Sequence, residues 1–158
     1  MPAVYRAPMR ARELDAGRYA GAVFGVARRM VGIGDALQPA PASLAEAVEI
    51  ATLTLGVKQG RMLKRFGELP PHVLVWTRVS DDGFHLGRIV GEWRYADDAD
   101  ARAVGIHHVR PAEWTPLLDP ATVPGAVRAT FDRGGRNFQR IRDAEAEARS
   151  EEIWRGAA

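Results

Sequence analysis

The chain has no cysteine, which removes disulfide frameworks, thiolate metal sites and cysteine nucleophiles together. Lysine is almost as scarce: of 22 lysine and arginine residues, only Lys58 and Lys64 are lysine. Serine is confined to Ser43, Ser80 and Ser150, none with an evident base and none within a Gly-x-Ser-x-Gly elbow, so a serine hydrolase is not expected. Among the four histidines only His107 and His108 adjoin, which falls short of zinc-ligand spacing. Gly32-Ile33-Gly34 does not continue to the third glycine of a dinucleotide fingerprint, and no phosphate-loop Gly-Lys-Ser/Thr follows any glycine run. A nuclease core needs carboxylates with a lysine or histidine on a metal, and both lysines fall on one helical stretch away from any acidic pair. Long apolar runs are missing too: none approaches membrane-spanning length, and Met1 to Arg12 lacks the apolar stretch of a signal peptide. The expectation is a cytoplasmic protein with no membrane contact, no catalytic residue, no metal and no cofactor.

What is present is a chain of 158 residues with formal net charge +2, enough for one domain with an ordinary core. The basic bias permits a polyanion partner without demanding one. Arginine suits phosphate and base edges through its planar fork, although a GC-rich coding sequence gives the same enrichment.

Val4-Tyr5-Arg6 reads as a short strand stopped by Pro8. Asp15 to Ala22 is a weak helix candidate because Gly17 and Gly21 interrupt it. Val26 to Ile33 reads as a strand closed by Gly32-Ile33-Gly34-Asp35, where backbone groups can be offered to a ligand. Ser43 and Glu46 form a capping box ahead of a helix over 44–55, and a second helix over 57–66 exposes Lys58, Arg61, Lys64 and Arg65, either as phosphate contacts or as a solvated face. A strand from His72 to Val79, a hairpin turn at 80–83 and a strand from Phe84 to Tyr95 follow. The aspartates between Asp97 and Asp100 read as a solvated loop tip rather than a calcium loop. A strand over 106–114, a turn with a short helix or strand over 123–131, a last strand over 136–141 and a charged helix from Asp143 complete the chain. The fold class expected is α+β, a mixed, mainly antiparallel sheet of five to six strands with two to three helices, closed or half-closed into a barrel.

Trp76, Trp93, Tyr95 and Trp114 lie on or beside consecutive strands, and such side chains at matched depth can converge. An aromatic box of this kind holds a planar ring, and the ring expected is a base rotated out of a duplex. Asp35, the backbone of Gly32 to Gly34, and Arg6 are then candidates for reading its edge. The same residues also fit plain packing, with the tryptophans in the core and Gly87 and Gly91 as barrel bends.

The run Val31-Gly-Ile-Gly34, a helical insert, Val73-Leu-Val-Trp76, Phe84-His-Leu-Gly-Arg-Ile-Val-Gly-Glu-Trp-Arg-Tyr95, Val109-Arg-Pro-Ala-Glu-Trp114, Val123-Pro-Gly125 and Phe138-Gln-Arg-Ile141 resembles the EVE and YTH-like branch of the PUA-like superfamily. It looks most like the reader domains of prokaryotic modification-dependent restriction and anti-phage systems. The resemblance implies a PUA-like pseudo-barrel over 1–142, with 143–158 as a C-terminal helix or linker. It implies flipping of a methylated or hydroxymethylated DNA base, such as 5-methylcytosine, into an aromatic pocket. Trp76 and Trp93 would then stack on the base, with Tyr95 as a further base-binding residue of the aromatic box; Gly32, Ile33, Gly34 and Asp35 would read its edge; Arg6, Arg88 and Arg94 would support it or bind phosphate. The pattern departs at Asp35, where a tryptophan commonly stands. A nuclease effector would be a fused domain or a partner. The alternatives are an RNA-binding reader of modified bases and an ASCH-like hydrolase or ribonuclease; the latter needs a lysine in the strand pocket, where this chain has none.

Overall fold

Local structure begins where the sequence signals are strongest in the computed structural model, which describes residues 3–10 and 17–157. Ser43 accepts a hydrogen bond from the Glu46 amide at 3.1 Å, which starts a helix at Leu44, and Gly56, at φ 108°, turns that helix directly into the next. In chain order the elements are β1 (Val4–Arg6), α1 (Ala20–Ala27), β2 (Met30–Ile33), α2 (Leu44–Leu55), α3 (Val57–Glu68), β3 (Leu74–Arg78), β4 (Phe84–Ile89), β5 (Arg94–Tyr95), α4 (Ala99–Val104), β6 (His108–Trp114), α5 (Gly125–Asp132), β7 (Gln139–Arg140) and α6 (Ala144–Ala157). The strands join into one curled, mixed sheet in the order β2-β6-β4-β3-β1-β7, with β5 also on β6. Only β1 and β3 run parallel among the pairs described. The class is α+β, with seven strands among the described residues.

Several segments differ from expectation. The strand expected over 26–33 is α1 as far as Ala27 and a strand only from Met30, while part of the helix expected at 15–22 lies outside the described residues. Gly21, which weakens a helix on propensity alone, is required by packing: a Cβ there would lie 1.8 Å from the Met9 carbonyl oxygen. The acidic loop contains α4. Asp98 accepts from the Ala101 amide at 2.8 Å and Gly105 closes the helix in the left-handed region. Asp97 pairs with Arg102, and Asp100 with Arg28, so these carboxylates are engaged by capping and ion pairs.

The expected single strand from Phe84 to Tyr95 is broken. Ile89 pairs with Ala112 and Arg94 with Val109; the chain takes five steps on one side against three on the other. Two residues therefore bulge out between Val90 and Trp93, which re-aims the side chains there. The glycines of this run make room for β6. Gly87 lies opposite Trp114, whose ring a Cβ would meet at 2.5 Å, and at Gly91 the Pro111 ring would be met at 2.6 Å. Gly87→Ala is expected to destabilise by about 1–3 kcal/mol through overpacking, read as a lower urea midpoint at unchanged slope.

The sheet is covered on both faces, and register decides which side chains meet. Trp76 is directly opposite Leu86, and Arg6 opposite Trp76, so these three share a face. That face packs Val4, Leu74, Trp76, Phe84 and Leu86 against Val127 and Phe131 of α5 and Ala146 of α6. The other face packs Tyr5, Val75, Ile89 and Ala112 against Ala47 and Ala51 of α2 and Leu63 and Phe66 of α3, with Trp93, Tyr95 and Trp114 at its margin. The C-terminal helix α6 is seated on the sheet through Ala146 and Ser150, both fully buried. Among the described residues no helix is long and apolar enough to cross a membrane.

Candidate functional site

The bulge before β5 brings Trp93 and Tyr95 to the start of β6. Tyr95 is the direct cross-strand partner of His108. The Trp93 indole N–H donates to His108 Nδ1 at 3.2 Å, and their ring planes lie within 22° with centroids 6.0 Å apart. An N–H bond lies in its ring's plane, so the two rings sit side by side, and the indole is half-buried at the margin of the core. On its other side His108 Nε2 lies 3.0 Å from the Asp35 carbonyl oxygen. These partners require one tautomer: Nε2 carries the proton and donates to Asp35, while bare Nδ1 accepts from Trp93. A second proton would set two N–H groups against each other. Burial, the larger effect, together with neighbouring His107, lowers the His108 pKa to about 4 in spite of the Asp35 bond.

Tyr95 holds the corner from above. Its hydroxyl accepts from the Leu37 amide at 3.0 Å, and its ring lies 5.4 Å from His107 at 18°. His107 Nδ1 in turn is 2.8 Å from the Ala96 carbonyl oxygen. Arg110 ties the bulge to the helical layer: Nε donates to the Gly91 carbonyl at 2.9 Å, and Nη1 to the Phe66 and Leu69 carbonyls at 3.1 and 2.6 Å. A guanidinium at the C-terminal end of α3 complements the helix dipole. Its pKa is nonetheless lowered, chiefly by burial, against a smaller raising effect of Glu92.

Beside His108 a crevice opens between the Ile33–Asp35 corner and the α2–α3 pair, walled by Leu55, Gln59 and Met62. Its cavity volume is about 10 Å³, room for roughly one water molecule. Gln59 and Met62 are unbranched and only half-buried, so this wall can yield by rotamer change. Leu53, Leu55 and Val57 protrude at the adjoining helix junction, exposed by 79%, 40% and 55%. Along α3, Lys58, Arg61, Lys64 and Arg65 are exposed, and Arg61, Lys64 and Arg65 line an open groove in which Lys64 pairs with Glu68 at 2.5 Å.

The expected site residues therefore divide. Trp93, Tyr95, Gly34 and Asp35 come together around His108, a residue that sequence reasoning considered only for zinc. Gly32 and Ile33 are buried strand positions behind them. At Gly32 a Cβ would strike Ile106 at 2.5 Å and the His108 carbonyl at 2.8 Å, so this glycine serves strand packing. Trp76, expected to stack on a base, is fully buried on the opposite face, and its indole N–H donates to Ser150 Oγ at 2.9 Å. Arg6 shares that face, buried against the Thr130 and Gly134 carbonyls at 2.6 and 2.9 Å, and reads no edge at the Asp35 corner. Arg88 also belongs there, lying over Trp154 and pairing with Glu113 at 3.3 Å. Arg94 is exposed beside Met30. Trp114 is a packing residue whose indole donates to the Met30 carbonyl at 3.3 Å.

The fold and corner together define an α+β domain with an aromatic, histidine-braced notch beside a basic helix. Comparison with family models, curated proteins and solved structures finds no match.

Proposed function

We propose that this protein is a nucleic-acid-binding module that reads a modified base in DNA, in the manner of EVE and YTH-like domains of the PUA-like superfamily. The observation that carries the reading is the half-buried Trp93 indole, held through its N–H to neutral His108, whose Nε2 in turn reaches the Asp35 carbonyl; one face of that ring is the proposed stacking surface. A flipped base stacks on that face and turns its edge toward the Gly34–Asp35 backbone, while a methyl or hydroxymethyl group enters the crevice as Gln59 and Met62 swing aside. Stacking of one base is worth about 1–3 kcal/mol. The exposed Leu53, Leu55 and Val57 knuckle suits the gap left in the duplex, as apolar wedges do when a base step is opened. The α3 cations next to it neutralise phosphates. Trp76, Arg6 and Arg88 have no part in this site. The module would supply specificity to a restriction or anti-phage nuclease, fused or separate.

Equilibrium binding to matched duplex and single-stranded DNA and RNA, plain or carrying 5-methylcytosine, 5-hydroxymethylcytosine or N6-methyladenine, tests the reading at stated salt. A preference for one modified DNA is expected, and Trp93→Ala should weaken it by about 5- to 150-fold, the equivalent of one lost stack. Equal affinity for plain and modified DNA, or stronger binding to single-stranded RNA, would reject it. The combined Lys58→Gln, Arg61→Gln and Arg65→Gln variant should lower affinity for every sequence alike and flatten the slope of log K against log salt by about 2–3, one counterion per lost phosphate contact.

A further inference from the structure

A second cleft lies on the far side of the molecule. Pro8 and Arg10 after β1, Arg18 and Tyr19 before α1, and Gly134 and Gly135 after α5 border it, with Arg78 at the end of β3 behind. Among the described residues, the acids beside it, Asp81 and Asp132, are already engaged. Arg78 donates to Asp132 at 3.0 Å and to the Asp81 carbonyl at 3.0 and 2.7 Å, and the Tyr19 hydroxyl donates to the Asp81 carboxylate at 2.5 Å. Among the described residues, Arg6, Arg10 and Arg18 form no ion pair with a carboxylate.

Arg6 is the unusual member. It is only 4% exposed, and its Nη1 is satisfied by two carbonyls, yet its Nε has no partner. Its guanidinium lies directly behind the cleft wall, with Nη2 3.0 Å from where a Gly135 Cβ would stand. Burial lowers its pKa, and Arg133 lowers it further. An uncompensated buried cation is costly unless an anion comes near. The cavity volume of about 30 Å³ suits a compact oxyanion rather than a ring.

We propose that this cleft binds a single phosphate group, gripped by Arg10 and Arg18 at its mouth and attracted by the charge of Arg6 behind Gly134 and Gly135. The fork of arginine donors matches a tetrahedral dianion. Because the cleft is on the α5 side of the sheet and Trp93 on the α2–α3 side, the site stands independently of the base-reading proposal. The phosphate is either free or the terminal phosphate of an oligonucleotide, and the measurement separates these sources.

The test is a thermal melt and calorimetric titration of the full chain with inorganic phosphate, against chloride and acetate at equal ionic strength. Phosphate at ten times its Kd should raise the midpoint by about 3–6 °C, and chloride and acetate should not. The exposed pair Arg10→Gln with Arg18→Gln should weaken phosphate at least tenfold, and Trp93→Ala should leave it unchanged. Tighter binding of a 5′-phosphorylated than a 5′-hydroxyl oligonucleotide, lost in the double variant, assigns a terminal phosphate; equal binding of the two oligonucleotides assigns free phosphate. Phosphate acting no better than chloride, acetate matching phosphate, or an unaffected double variant would overturn the proposal.

Discussion

Trp76→Ala is expected to lower unfolding free energy by about 3–5 kcal/mol, the largest stability loss from any single substitution considered. The indole is fully buried between β3 and the α5–α6 layer, and its N–H donates to Ser150 Oγ, which itself donates to the Ala146 carbonyl at 2.6 Å. Removing it leaves a cavity, strands one acceptor on Ser150 and loosens the seat of α6. Trp76→Phe isolates the second effect, because Ser150 keeps its bond to Ala146; the cost should be nearer 1–2 kcal/mol. Urea unfolding of the two variants measures both. A Trp76→Ala protein that melted like the wild type would mean the ring is not part of the interior. Its affinity for modified DNA, measured on the folded fraction, should match the wild type.

Acid destabilisation centred on His108 is the second large effect. The folded pKa, about 4, lies below the ordinary 6.5, so between these values the unfolded chain binds more protons than the native one. Stability is thus fully present above pH 6.5 and drains away as the pH falls to 4. Below that, both states carry the proton and this residue contributes no further slope. The shift corresponds to about 3 kcal/mol. His108→Gln, which keeps a donor for Asp35 and an acceptor for Trp93 but cannot titrate, should lose most of the stability change between pH 6.5 and 4. Stability that is level across this range in the wild type would show that the folded chain takes up this proton as readily as the unfolded one, which contradicts a buried His108 whose bare Nδ1 accepts from Trp93.

Legibility in the sequence followed the strength of local chemistry. Ser43, Glu46 and Gly56 mark α2 and α3 almost to the residue, and the Asp-Gly turn before Phe84 marks the β3–β4 hairpin. The sequence groups Trp93 and Tyr95 with the Gly34–Asp35 corner only as parts of one expected base site; the pairing of β2 and β5 with β6 that brings them together is not legible in it. Trp76 was not separable from Trp93, because all five residues of Leu74–Arg78 are buried; a strand covered on both faces carries no alternation to say which side chain points where. The two-residue bulge is likewise absent from the alternation, since a shift of two preserves parity. His108 escaped notice for another reason: its signal is a tautomer fixed by a backbone carbonyl 73 positions away, and no spacing in the chain encodes that. Arg6 looked like a ligand residue from its place at a strand end, yet the direct partner of Arg6 in β3 is Trp76, which puts it on the α5 side.

The most direct test of the central claim is the indole N–H spectrum of ¹⁵N-labelled protein titrated with the tightest-binding modified duplex. The four tryptophan signals are assignable by single Trp→Phe variants. The account predicts that the Trp93 signal moves most and saturates with binding, while the Trp76 signal, held to Ser150 inside the core, stays in place. A Trp93 signal unmoved at saturation would contradict it, as would a Trp76 signal that moves further than that of Trp93.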